Sequence, residues 1–334
     1  MNTAGRQLHV LVAGAGATGR SAAGRLRELF GDVRLSVTDP DTARADALVE
    51  ALGGDGATTA SLQQAVPFDV AVLCAPSSDQ PPLARAALAR GAAVVSTADG
   101  LGDVLELLAL EAEAAERGLP LAIGAGFSPG LSCLLARHAA NHFDVVDEVH
   151  VAKTGTGGPD CARQHHRALT DRSWDWRDGG WVRRRGGSGR QLAWFPDPIG
   201  ARDCYRAGMA DALLLQRAFP DATRVTSRMS ATRRDRMTSW LPMLRPPHAD
   251  GGPGALRVEV WGTRGDTREV VVYGAADHPG HAAGLVAAAT VAAIVGGDLP
   301  ATGIFGLAET AVVTTLLDAV HRAGLAVATF EGAP

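Results

Sequence analysis

The chain has 334 residues, 46% of them apolar, and a formal charge of −4, so it is long enough to bury a full core and lacks the basic excess of a general nucleic-acid binder. Its four cysteines, Cys74, Cys133, Cys161 and Cys204, are far apart and form no CxxC, which speaks against a zinc site or redox pair and for reduced thiols. The N-terminal MNTAGRQLHV lacks the pattern of a secretory signal, so the expectation is a cytoplasmic protein.

The first informative stretch is His9 to Gly19, HVLVAGAGATG, where an apolar strand runs into Gly14, Gly16 and Gly19. In a dinucleotide fingerprint the first glycine permits the tight turn, the second lets backbone approach a pyrophosphate, and the third lets the next helix pack on its strand. The loop Gly14, Ala15, Gly16, Ala17, Thr18 and Gly19 is therefore the candidate phosphate cradle. The spacing predicts a helix over Arg20–Phe30 and a strand over Val33–Thr38. The strand ends at Asp39, 20 residues beyond Gly19, placed to accept from a ribose 2′-hydroxyl. Its carboxylate favours NAD, while Arg44, one turn into the next helix, leaves a mixed NAD(P) preference open.

Strand-like and helical runs then alternate: Asp69–Ala75, Pro81–Arg90, Ala92–Ser96, Leu101–Arg117 and Leu121–Gly126. This is an α/β, doubly wound parallel pattern of Rossmann type over residues 1–128. Ligands of such sheets gather at the carboxyl ends of the strands. Ala75, Pro76 and Ser77 should thus border the adenosine or pyrophosphate, and Ala98, Asp99, Gly126 and Phe127 the nicotinamide. Asp99 reads equally well as the N-cap of the following helix.

Ser128 reads as an N-cap and Pro129 as the first residue of a helix that leaves this domain. An α+β substrate and dimerisation domain is expected over 129–278. It contains a strand Asp147–Lys153, a hairpin pairing Trp181–Arg185 with Arg190–Phe195, and a second hairpin from Leu256–Thr263 to Thr267–Gly274. Helices are expected over Arg206–Ala218 and near Arg234–Leu244. Residues 279–334 read as helices returning to the first domain, ending in a short run Leu325–Phe330. The apolar run Ala282–Gly297 is expected to be a buried helix and not a membrane span.

Charge is divided unevenly. Residues 1–120 hold 15 acidic residues against 9 arginines, whereas Cys161–Arg206 holds 10 arginines and 5 aspartates, a field suited to a small anionic or amino-acid-like substrate. Lys153 is the only lysine, against 31 arginines. Lysine can lose its proton when desolvated and arginine cannot, so Lys153 is a candidate general acid or carboxylate ligand. His165, beside His166, can protonate an imine nitrogen. Lys153, His165 and Asp99 form the candidate catalytic set. His138 and His142 lack an acidic third ligand, and no metal is expected. Trp174, Trp176, Trp181 and Trp194, interleaved with arginines, suit a homodimer interface or pocket lid better than nucleic acid. Tyr205 and Tyr273 lie in no Tyr-x-x-x-Lys pairing, so the short-chain dehydrogenase mechanism has no support.

With the fingerprint, Asp39, the segment Gly126-Phe127-Ser128-Pro129-Gly130-Leu131 and the late Pro300–Glu309 stretch, the whole chain resembles the saccharopine dehydrogenase (saccharopine reductase) family. The resemblance implies a Rossmann domain interrupted by an inserted α+β substrate domain. It also implies hydride transfer between nicotinamide and an amino-acid-derived imine or secondary amine, or a C=C or C=O. Ser128 stands where that family carries an acid, so the molecule reduced is not named. The alternative is a non-catalytic NAD(P)-binding scaffold or redox sensor. A polar cleft holding Lys153 and His165 would distinguish the enzyme from it.

Overall fold

Short apolar strands punctuated by glycine and proline build two sheets in the computed structural model, which describes residues 7–54, 56–59, 61–243 and 248–330. The first half runs β1 (His9–Ala13), α1 (Ala17–Phe30), β2 (Arg34–Thr38), α2 (Thr42–Ala51), β3 (Ala57–Thr58), β4 (Val70–Leu73), α3 (Gln80–Ala89), β5 (Ala93–Ser96), α4 (Leu101–Leu108), α5 (Glu111–Arg117) and β6 (Pro120–Ile123). β1, β4, β5 and β6 are buried throughout, as expected of parallel strands covered on both faces. The helix expected over Leu101–Arg117 is two, α4 and α5, separated at Ala109–Leu110.

α6 (Leu131–Ala140) leads into the second domain: β7 (Val145–Thr154), α7 (Pro159–Ala168), β8 (Arg172–Arg177), β9 (Gly180–Arg185), β10 (Gln191–Phe195), β11 (Gly200–Tyr205), α8 (Asp211–Ala218), β12 (Arg224–Ser230), α9 (Arg233–Thr238), β13 (Gly254–Arg264) and β14 (Thr267–Asp277). The return comprises α10 (Pro279–Gly296), β15 (Gly303–Gly306), α11 (Val313–Arg322) and β16 (Val327–Thr329).

The first sheet has the order β15-β6-β5-β4-β1-β2-β3, parallel throughout. It is a Rossmann-type doubly wound sheet with helices on its faces, and the second domain is a mixed sheet with helices. The second sheet runs β10-β11-β12-β7-β13-β14-β16, with β8 and β9 branching from β12. β7 is central, parallel to β12 and antiparallel to β13, and Lys153 lies near its end.

Three differences from the sequence expectation have clear causes. β9 and β10 do not pair. β9 pairs with β8 through Asp178-Gly179, both at positive φ as a two-residue hairpin turn demands, and β10 pairs with β11. Ser128 is not an N-cap: α6 begins at Leu131 after Gly130, whose φ of 129° no side chain tolerates well, and the Ser128–Pro129 peptide is cis. The helix expected from Arg206 starts only at Asp211, and that expected near Arg234–Leu244 is α9; Leu244 lies outside the described residues.

The returning segment is not wholly helical. β15 adds a seventh strand to the first sheet beside β6, whereas β16 pairs with β14 in the second. α10 is long and apolar enough to cross a membrane by length and composition, but 78% of it is buried inside the protein. It lies along α1, and Ser21 Oγ donates to His281 O (2.8 Å).

Candidate active site

At the carboxyl end of β1, backbone sterics dictate the glycine-rich loop. A Cβ on Gly14 would sit 2.7 Å from the Cys74 carbonyl carbon, and one on Gly19 would sit 1.8 Å from Gly14 O, so both positions exclude any side chain. Gly16 is the opposite case: a Cβ there would meet nothing within 4 Å, because this glycine faces open groove. Gly16 also caps α1 without a side-chain hydrogen bond, which leaves the first amides of the helix directed at that groove. These features fit a dinucleotide pyrophosphate. Asp39 is buried and braces the loop, accepting from Ala15 N (2.8 Å) and Asp41 N (2.9 Å). Arg44 Nη1 stands 3.8 Å from Asp39 Oδ1.

From this loop a cavity of about 940 Å³ runs across to the second domain. Gly14, Gly16, Ala17, Thr18, Asp39 and Arg44 line one end, and Ala75 and Pro76 border its flank. Ser77 opens a short 3-10 turn just beyond Pro76. At the far end are Asp99, Phe127, Ser128, Lys153, Cys161 and His165. Ala15, Gly19, Ala98 and Gly126 are not among the lining residues, and Ala98 N donates to Ser96 Oγ (3.2 Å).

The three candidate catalytic residues converge. Lys153 Nζ donates to Asp99 Oδ2 (3.1 Å) and to Ser128 O (3.3 Å), and lies 2.9 Å from His165 Nε2. His165 Nε2 is in turn 2.6 Å from Asp99 Oδ2, and Gln164 Nε2 donates to Asp99 Oδ1. The reading of Asp99 as an N-cap gives way here: Gly100 takes that position on α4, and the carboxylate faces the cleft. Burial would raise the Asp99 carboxyl, but Lys153 and His165 outweigh it and hold the acid well below the carboxylate range. Burial would lower His165, yet Cys161 and Asp99 prevail over it and over Lys153, and push the imidazole up to about 9.

α7 also brings in Cys161, which sequence reading passed over. Its Sγ lies 3.6 Å from His165 Nε2, one helical turn away, and despite burial His165 lowers the thiol. The i, i+4 spacing within Pro159–Ala168 was the available signal. The donor atoms of Asp99, Cys161 and His165 lie within 4.8 Å of one another, and the Lys153 ammonium already stands against two of them. His166 turns away to Thr238 O (2.9 Å). His138 and His142 gather round Tyr273, where His142 Nε2 meets its hydroxyl at 3.1 Å. Trp174, Trp176 and Trp181 cluster on β8 and β9, apart from the exposed Trp194 on β10.

No family model matches the sequence, and no curated protein matches it. Among solved structures, apo saccharopine dehydrogenase (L-Glu forming) from Saccharomyces cerevisiae is similar at 14% identity, over 97% of this chain and 100% of that one, with a TM-score of 0.69. The chain has the saccharopine dehydrogenase fold. Two others are similar more loosely. GenD2 from gentamicin A biosynthesis, in complex with NAD, has 17% identity, 98% and 97% coverage and a TM-score of 0.49. The DAP dehydrogenase of C. glutamicum, in complex with DAP, has 17% identity, 95% and 99% coverage and a TM-score of 0.47. In this chain Ser128 is tied to an acid of the second domain. Asp211, the first residue of α8, accepts from Ser128 Oγ (2.7 Å).

Proposed function

We propose that this protein is an NAD(P)-dependent oxidoreductase that transfers a hydride to or from the C=N of a small anionic or amino-acid-like substrate. The observation that carries the reading is the Lys153–Asp99–His165 cluster opening into the same cavity as the glycine-rich loop. A polar cleft of this kind supports an enzyme over a binding scaffold.

Gly16 and the first turn of α1 would hold the pyrophosphate, and Asp39 the adenosine ribose, with Arg44 close enough to tolerate a 2′-phosphate. NAD is the preferred form in this proposal. When bound, the nicotinamide supplies or takes the hydride. Hydride addition to carbon leaves the imine nitrogen in need of a proton, which Lys153 Nζ delivers. His165 Nε2, 2.9 Å away, then returns a proton to Lys153. Asp99 stays ionised and keeps both donors in place. Oxidation of a secondary amine runs the same path in reverse. The exposed Leu192 and Trp194 on β10 support a homodimer, and the four free cysteines support a cytoplasmic setting.

The test is a fluorescence titration with NADH and NADPH, repeated on Asp39→Ala, followed by a screen of imines for NAD(P)H oxidation with Lys153→Met alongside. NADH binding weakened at least tenfold by Asp39→Ala, and turnover lost in Lys153→Met with cofactor affinity unchanged, support the proposal. Binding of neither nucleotide sinks it.

A further inference from the structure

Asp211 is 1% exposed and sits where the two domains meet, yet it takes no part in the proton transfer described above. One of its oxygens, Oδ1, accepts from two hydroxyls, Ser128 Oγ (2.7 Å) and Ser132 Oγ (2.6 Å), while Oδ2 is buried with no partner. Burial raises this carboxyl, though Lys153 and the two serines pull the other way.

The backbone just before Asp211 is equally committed. Gly208 N donates to Ala168 O (2.9 Å) at the end of α7, Leu101 N donates to Gly208 O (3.2 Å), and Ala210 N donates to Asp99 O (3.1 Å). Gly100 and Met209 form an isolated antiparallel bridge. Residues 208–211 therefore touch the helix that carries His165, the backbone of Asp99, and the side chain of Ser128, whose carbonyl accepts from Lys153.

We infer that Asp211 is a positioning residue of the cleft: by clamping Ser128 it holds the carbonyl that orients Lys153 Nζ toward Asp99 and His165. The inference rests on the oxidoreductase reading only for its purpose, and its test needs neither cofactor nor substrate. Ser128 O is one of the few neutral acceptors available to the ammonium. The charged and titratable groups around Lys153 are Asp99 from the β5–α4 loop, His165 and Cys161 from α7, and Asp211 from α8.

Because Lys153 is the only lysine, protein grown with ¹⁵Nζ-lysine carries one labelled side-chain nitrogen, and NMR reads it directly. In Asp211→Ala the Nζ resonance should move toward that of free lysine, as the Ser128 carbonyl that accepts from the ammonium is released. Asp211→Asn keeps the Oδ1 acceptor and should leave the resonance at its wild-type position. Ser128→Ala, which removes a single hydroxyl, should shift the resonance in the same direction by less, and serves if Asp211→Ala does not fold. An Nζ signal unchanged in Asp211→Ala, or in Ser128→Ala when the first variant is unfolded, overturns the inference whatever the melting temperature does. Failure to bind NADH would sink the oxidoreductase reading and leave this result standing.

Discussion

Lys153 Nζ and His165 Nε2 stand 2.9 Å apart, and both face the same oxygen of Asp99. A ring nitrogen can donate to the carboxylate or accept from the ammonium, but not both, so the protonation of His165 decides which of the two contacts is a hydrogen bond.

The elevated His165 makes stability depend on pH. Its folded-state value, about 9, exceeds the ordinary 6.5, so the folded state binds the proton more tightly. The contribution is complete below pH 6.5 and is lost as pH rises through 9. Urea unfolding from pH 6 to 10 should show wild type losing stability across this window, and His165→Gln should lose much less. Parallel curves for the two proteins would place the proton elsewhere.

Gly16 and Gly19 should respond differently to the same small change. In Gly19→Ala the new methyl collides with Gly14 O, so the melting temperature should drop by several degrees. Gly16→Ala projects into open groove, so the fold should keep its melting temperature while NADH affinity falls about tenfold or more. Thermal melts paired with the nucleotide titration check both outcomes.

Among the four thiols, Cys161 should react first. It occupies the first turn of α7 beside His165 and lines the cavity, whereas burial pushes Cys74, Cys133 and Cys204 up to about 12. Limited iodoacetamide treatment at neutral pH followed by peptide mass spectrometry should find the label at Cys161 ahead of the others. His165→Gln should slow that labelling.

A buried ion pair holds the second sheet together. Arg228 of β12 makes two hydrogen bonds to Asp175 of β8 (2.8 and 2.9 Å), and Arg206 adds a third contact. Asp175→Ala strands a buried guanidinium and should cost about 3–5 kcal/mol by denaturant unfolding. A loss below about 1 kcal/mol would mean that water reaches Arg228 once the carboxylate is gone.

The first half of the chain was legible because its rules are local. The spacing of Gly14, Gly16 and Gly19 and the position of Asp39 follow from what one turn and one helix start allow, and uniformly apolar strands announce a sheet covered on both faces. Lys153 stood out by composition alone, and His165 by its chemistry. The pairing in the second domain did not follow from pattern. Trp181–Arg185 and Arg190–Phe195 look like partners across a glycine-rich turn, yet Asp178-Gly179 closes the tighter hairpin and takes β9 for β8. For Cys161 the i, i+4 spacing to His165 became meaningful only once α7 was seen to face the cleft.

By itself, then, the sequence determined the glycine-rich loop, the parallel sheet and the titratable side chains of the cleft, since each depends on residue type or on contacts within a turn or two of chain. Only the tertiary structure decided that Asp99 meets Lys153 across 54 residues and His165 across 66, and that Ser128 finds its acid in Asp211, 83 residues on. Such meetings are fixed by which sheet faces and helix ends are buried together, a property of the whole chain's packing that no local periodicity encodes.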